Sequence, residues 1–358
     1  MRLADIAEQA GVSTATVSRA LNQPEKVTPA VRERVLQTIQ SLNWVPHGAA
    51  KALATHKTRT VGAITATLGN ANVAAELEAL QQHLMEAGYV LLLACSGLDE
   101  RKELEQVRKM IERGIDALVL HHSESHSPAL WELLEVQQVP AIITRAAEQV
   151  PGYTTVGYSA YEAFRELTTH LLELGHRRFG MMMITTPQNE QARTLEPDKR
   201  VSGAYAGVIE TLQEAGLEVA PEHVTNTYFS IGKGRECFRQ IMATSPRPTA
   251  LICMDDYLAI GSIFAAQSMG ICVPDDVSIV GFDDIELAQL VSPPLTTIRT
   301  PDRDMGAATA KCVLDLLEQR APATYRRELG FEFRLRGSTG PPHEREAHQS
   351  QQNGKERE

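Results

Sequence analysis

Apolar positions along this chain follow two rhythms, and the change between them falls near Val61. Before it, the spacing is helical. Leu3, Ile6, Ala7 and Ala10 recur three and four residues apart, which predicts a first helix with one apolar stripe. Gly11 supplies a residue able to take positive φ at a tight turn. Ser13 is a suitable N-cap for a second helix, on which Val17 and Leu21 face inward while Thr14, Ala15, Ser18 and Arg19 occupy the opposite face. Two short helices joined by such a turn form the helix-turn-helix pattern. Asn22-Gln23-Pro24-Glu25 reads as a turn, and Thr28-Pro29 opens a third helix with Val31, Val35, Ile39 and Leu42 as its buried stripe. Val45-Pro46 closes this unit. The following HGAAKALAT (47–55) is Ala-rich but too short to be a stable helix alone, so it is expected to be helical only when held.

From Val61 onward, short apolar runs alternate with amphipathic helical stretches. The runs lie at 61–65, 89–95, 116–121, 141–144, 179–184, 250–254 and 277–282; helices are predicted at Val73–Ala87, Glu100–Arg113, Ala160–Leu174 and Arg200–Ala215, among others. This alternation predicts parallel sheets covered by helices on both faces, arranged as two α/β subdomains with a cleft between them. Ligands are expected at the carboxyl ends of the strands. The segment from Ser338 holds no apolar residue except Ala347 and is expected to be disordered.

Charge sharpens the division. The chain carries a net −10, yet residues 1–60 hold eight Lys/Arg against four acidic residues, leaving +4 there and −14 on the remainder. A small basic head on an acidic body suits a DNA-binding module joined to something else. No apolar run approaches the length of a membrane helix, and MRLADIAEQA lacks the apolar core of a signal peptide, so no membrane association is expected. The five cysteines are scattered, without a CxxC, and read as reduced thiols of a cytoplasmic protein.

These features together resemble the LacI/GalR family of bacterial transcription regulators, over about Leu3 to about Gly337. The motifs that carry the likeness are ADIAEQAGVSTATVSRALN (4–22), LNWVPHGAAKALA (42–54), HLLELGHRRFGMM (170–182), DDYLAIGS (255–262), GICVPDDVSIVGFDD (270–284) and PPLTTIRTP (293–301). The resemblance implies an all-α helix-turn-helix headpiece (1–46), a hinge helix and linker (47–59), a periplasmic-binding-protein-like body of two doubly wound parallel-sheet subdomains (60–337), and a tail (338–358). It implies that Thr14, Ala15 and Arg19 reach base edges in the major groove, Arg19 being suited to bidentate contact with guanine. Ser13, Ser18, Asn22, Lys26 and Thr28 match positions that contact the DNA backbone or set register. Leu53 matches the hinge leucine that wedges a minor-groove base step, and His47 stands where the family usually has Asn.

In the body, the resemblance implies a small-molecule effector, a sugar or sugar acid, bound between the lobes. Arg200 would clamp its oxygens and Asp256 would accept from its hydroxyls. Ser159, His121 and Arg145 complete the implied effector set. Asp255 stands where Asn is common, and Ser159-Ala160 replaces a usual Asp-Asn pair, leaving that wall less polar. A homodimer on a near-palindromic DNA operator follows from the half-site logic of such readers. No tetramerising leucine heptads occur in the tail.

Other constellations carry less. His121-His122-Ser-Glu124-Ser-His126 lacks any supporting metal motif, so no metal is expected. His176 follows a predicted helix end and reads as a packing or capping residue. No phosphate loop, dinucleotide fingerprint or nucleophile–base set is present, so neither a cofactor nor an enzyme is expected. A transporter's solute-binding protein would share the body, but would need a signal peptide and no helix-turn-helix.

Overall fold

Ile6, Ala7, Ala10, Val17, Ala20 and Val35 close into one small core, and Leu3, Val12, Leu21, Val27, Ile39, Leu42 and Trp44 pack around its edge. It joins helices α1 (Leu3–Gln9), α2 (Thr14–Asn22) and α3 (Pro29–Ser41). Gly11 takes φ +64° at the turn, and the Ser13 Oγ caps α2 by accepting from the Thr16 N–H at 3.1 Å. Thr28 stands at the N-cap of α3 but makes no side-chain cap bond; Pro29, at the first helical position, has no N–H to leave unpaired. Of the stripe predicted on α3, only Val35 is fully buried, and Val31 is not packed on the core.

This computed structural model describes residues 2–45, 57–97, 99–121, 126–146, 149–185, 202–320 and 324–342. The chain divides into a compact head unit, residues 1–60 with 114–116, and a body unit formed by the rest.

The body holds two parallel sheets. The first contains β1 (Thr60–Thr65), β2 (Val90–Cys95), β3 (Ala117–His121), β4 (Ala141–Thr144) and β5 (Thr154–Gly157), with a late strand, Arg326–Glu328, at its far edge. Its order runs from that late strand through β5, β4, β3 and β1 to β2. The second sheet contains β6 (Phe179–Ile184), β7 (Val224–Thr227), β8 (Ala250–Cys253) and β9 (Ser278–Val280), in the order β7-β6-β8-β9. Thr297–Arg299 (β10) pairs antiparallel with Glu332–Arg334 (β12), and Arg326–Glu328 is β11.

All seven apolar runs form strands, whereas β5 and β7 lie outside the predicted set. Their sequences, TTVG and VTNT, are too polar for the pattern. Thr154 and Thr155 are nevertheless buried between β4 and β11, and β7 is an edge strand paired only with β6.

Helices α4 (Ala71–Glu86), α5 (Glu100–Glu112) and α6 (Pro128–Gln137) belong to the first lobe; α7 (Ala160–Glu173), α8 (Ser202–Glu214), α9 (Ile231–Met242) and α10 (Asp256–Met269) belong to the second. The last, α11 (Asp302–Leu317), returns to the first lobe and packs along α4. Gly306 allows the close approach, since a Cβ there would collide with the Glu76 carbonyl. The chain thus crosses between lobes after β5, after β10 and after β11. Among the described residues, no helix is long and apolar enough to cross a membrane.

The expected start of the tail needs correction. Ser338 is fully buried: its Oγ donates to the Ile279 carbonyl at 2.6 Å and accepts from the Thr296 N–H at 2.8 Å. Gly340 is held by the Ser278 hydroxyl and by His176. Short polar residues here serve as backbone partners at a sheet end, which a count of apolar residues does not register.

Candidate functional site

The head presents one exposed polar face. Val17 and Ala20 anchor α2 in the core, which turns Thr14, Ala15 and Arg19 outward, all three exposed. Ser13 shares a 2.8 Å hydrogen bond with the Thr16 hydroxyl, so its oxygen already serves the helix start. The Asn22 amide reaches the Ser18 Oγ at 3.5 Å along the same helix. Lys26, in the Pro24–Lys26 turn, and Thr28 are exposed. His47 and Leu53 lie outside the described residues.

At the carboxyl ends of the first lobe's strands the structure gathers a buried polar network. Glu76, on the inner face of α4, accepts from the Thr144 hydroxyl at 2.6 Å and from Arg145 Nε at 2.8 Å. The other end of the Arg145 guanidinium grips Asp302, at the start of α11. Burial works against the Arg145 charge, but Glu76 and Asp302 outweigh it and raise its pKa. His121, at the end of β3, faces Glu76 with its Nε2 at 3.7 Å; burial keeps its pKa low, against the pull of Glu76.

Asn72, one turn before Glu76, reaches the second lobe. Its amide donates to the Asp283 carbonyl at 2.7 Å and to the Thr300 hydroxyl at 3.0 Å, and Thr300 donates on to Asp302 at 2.8 Å. Asp283 follows β9 and lines an interlobe cavity of about 340 Å³ together with Asn72, Thr300 and Asp302. Burial pushes its carboxyl up to about 8, with Arg145 opposing.

Two expected site residues are placed differently by the structure. Asp256 has no exposed surface. Its Oδ1 accepts from the Thr297 hydroxyl at 2.7 Å and its Oδ2 from the Ile285 N–H at 2.9 Å. It is a fastener between α10, β10 and the loop after β9, not an acceptor open to the cleft. Arg145 is likewise committed at both ends, to Glu76 and Asp302. Ser159 caps α7 by accepting from the Glu162 N–H at 3.1 Å. Arg200 lies outside the described residues.

The histidine-rich stretch is split: His121 faces Glu76, whereas His126 meets Glu103 at 3.0 Å and stands edge-on to Trp131. His122 and Glu124 lie outside the described residues. Asn72, Glu76 and Asp302 carry no motif that sequence reasoning registers, and Thr300 stands in PPLTTIRTP without any site role having been read there. Asp283 does carry a signal, since it stands just beyond a predicted strand, where ligands are expected in α/β sheets.

Comparison with known proteins accounts for both parts. Residues 2–47 match the family described as bacterial regulatory proteins, lacI family, and residues 168–339 match the periplasmic binding protein-like domain. The chain is 30% identical over 312 residues to the HTH-type transcriptional repressor PurR of Salmonella arizonae, covering 87% of this chain and 89% of that one. A LacI-family transcriptional regulator from Silicibacter pomeroyi superposes with a TM-score of 0.83 at 26% identity, over 95% of this chain and 99% of that one. The lac repressor dimer bound to operator and the anti-inducer ONPF shares the fold, with a TM-score of 0.81 at 23% identity over the same shares. The chain belongs to the LacI family: it is a DNA-binding transcriptional repressor, not an enzyme, whose body is a periplasmic-binding-protein-like effector domain.

Proposed function

We propose that this repressor reads a near-palindromic operator as a homodimer, and that a sugar or sugar acid bound between the lobes sets its affinity for that DNA. The observation that carries the reading is the exposure of Thr14, Ala15 and Arg19 on a helix whose other face is fixed by Val17 and Ala20. Arg19 supplies the bidentate donor for a guanine; Thr14 and Ala15 supply a hydroxyl and methyls. Ser13, Ser18, Asn22, Lys26 and Thr28 position the helix on the phosphates, and Leu53 with His47 engages the minor groove at the hinge.

Dimerisation is supported by apolar surface that a monomer would leave wet. The outermost strand β2 exposes Val90 (66%) and Leu93 (37%), and in the second lobe Leu290 is 67% exposed beside Leu287. An apolar sheet edge of this kind normally has a partner. In the cleft, Asp283 takes the acceptor role that the resemblance gave to Asp256, with Arg200 as the clamp.

The test is selection of bound sequences from a random DNA pool by the full-length protein, at fixed salt, followed by sedimentation of the complex. The expected result is an inverted repeat bound by two chains, with Arg19→Ala losing preference at one guanine in each half-site. Recovery of single, unrepeated sites bound by one chain would overturn the dimer, and unchanged selectivity in Arg19→Ala would overturn the base-reading role.

A further inference from the structure

We propose that the ligand of the interlobe cleft carries a protonated amine, as an amino sugar of monosaccharide size does, and that this amine seats against Asp283. The inference rests on the reading that the cleft takes an effector, and it narrows the class of that effector.

Acidic groups dominate the interlobe cavity, which is lined by five carboxylates (Asp283, Asp284, Asp302, Asp304, Glu332) and two guanidiniums (Arg299, Arg303). Both guanidiniums are engaged: Arg299 Nε holds Asp284 at 2.7 Å and Arg303 holds Glu78 at 2.6 Å. Deeper in, Arg145 is shared between Glu76 and Asp302. Asp283 therefore has no cation of its own among the described residues, and Asn70 is the neighbour that hydrogen-bonds its carboxyl.

The neighbouring strand brings a second acid. Asp255 lies just beyond β8, which pairs with β9, so Asp255 and Asp283 stand on the same carboxyl edge of the second lobe's sheet. Asp255 is 2% exposed. Its Oδ1 accepts from the Leu258 N–H at 2.7 Å, while its Oδ2 is buried with no hydrogen-bond partner. A buried carboxyl oxygen without a donor is costly, and a second uncompensated carboxyl beside it compounds the cost.

An ammonium group seated at Asp283 brings three N–H donors and one positive charge to this acidic edge of the sheet. Burial otherwise keeps Asp283 mostly protonated at neutrality, its carboxyl pushed up to about 8, and Asp255 partly so, pushed up to about 7. Binding of R–NH3+ at pH 7 then converts the Asp283 carboxyl to carboxylate and releases its proton to solvent. A sugar acid brings the opposite charge to the same place. The cavity, about 340 Å³, is large enough for one hexose ring.

The experiment uses full-length protein at pH 7. Melting is followed with glucosamine, galactosamine and mannosamine, with the parent hexoses, and with gluconate, galactonate and mannonate. The expected result is a rise of several degrees with an amino sugar and none with its parent or its acid. Calorimetry of that amino sugar in two buffers of different ionisation enthalpy should show close to one proton released. Asp283→Asn should weaken binding by about tenfold or more, since a charged hydrogen bond is lost. The proton count is made on the unaltered protein and so does not depend on the variant folding. If a parent hexose or an acid shifts melting and no amine does, the cleft reading stands and this inference falls. If none of the nine shifts it, both fall.

Discussion

Asn72 and Asp283, 211 residues apart, meet at 2.7 Å where the Asn72 amide donates to the Asp283 carbonyl, and this bond ties the first turn of α4 in one lobe to the loop beyond β9 in the other. Asp283 and Asp284 both hold positive φ, +109° and +53°, a region that residues other than glycine seldom adopt. Contacts such as that of Asn72 hold them there. Asn72→Ala leaves the Asp283 carbonyl without its donor at a buried position, which costs on the order of 1–3 kcal/mol. Urea unfolding of the full-length protein measures it; an unchanged midpoint would show that the bond contributes nothing.

Asp256 is expected to behave as a structural residue. Asp256→Ala leaves the Ile285 N–H and the Thr297 hydroxyl buried without an acceptor. A loss of roughly 2–4 kcal/mol follows if each costs about 1–2 kcal/mol, and it appears in melting without any ligand present. A variant as stable as the parent protein would contradict the fastener role.

Arg145 neutralises two buried carboxylates. Arg145→Met should destabilise the body strongly, by about 3–5 kcal/mol, because Glu76 and Asp302 lose their common cation. Adding Glu76→Gln to Arg145→Met should recover part of the loss. A double variant no more stable than the single one would show that unpaired charge is not the cause.

His176 sets a pH dependence. Its Nδ1 meets the Thr249 hydroxyl at 2.9 Å, and its Nε2 meets the Ser278 hydroxyl and the Gly340 carbonyl, each at 3.0 Å. Burial lowers its pKa to about 4, below the ordinary value of 6.5. Between those values the unfolded chain binds more protons than the folded one, so stability falls as pH drops from about 6.5 toward 4. His176→Gln should flatten this part of the melting-temperature curve, and an equally steep fall in the variant would rule His176 out as its source.

Lys26 and Arg19 should separate by their salt response. Lys26→Ala should remove the phosphate contact proposed for it, with affinity dropping alike for operator and unrelated DNA and the salt slope reduced by about 0.9. Arg19→Ala should instead lose mainly the operator preference. The reverse assignment of the two effects would overturn the division between positioning and reading residues.

The head is almost wholly legible in the sequence, because its information is short-range. Spacing places the three helices, Ser13 caps α2 as its position predicts, and Gly11 takes the positive φ that the turn requires. Six of the seven apolar strands are legible for the same reason, since a strand buried on both faces needs an unbroken apolar run; β2 carries such a run although it leaves Val90 and Leu93 exposed. Thr154–Gly157 and Val224–Thr227 are not, because hydroxyls and amides satisfied by neighbouring strands leave no hydrophobic trace. Ser338 shows the same limit at the end of the body: in sequence it is the first residue of a polar tail, in space a buried partner of Ile279 and Thr296.

By itself the sequence determined the fold class, the division into a basic head and an acidic body, and the polar face that the second helix leaves exposed, all of which rest on periodicity, caps and local charge. Tertiary structure alone decided which carboxyls line the cleft. Asp255 and Asp256 are adjacent in sequence, yet one keeps a buried oxygen without a donor while the other has both oxygens claimed by Ile285 and Thr297. Asp283 and Asp284, which no local pattern distinguishes, part in the same way: Asn70 and Asn72 from the other lobe meet the Asp283 carboxyl and its backbone carbonyl, whereas Asp284 is held by Arg299 and Arg336. What a buried carboxyl does depends on the donors that folding brings to it, and those donors stand on other strands and helices, tens to hundreds of residues away.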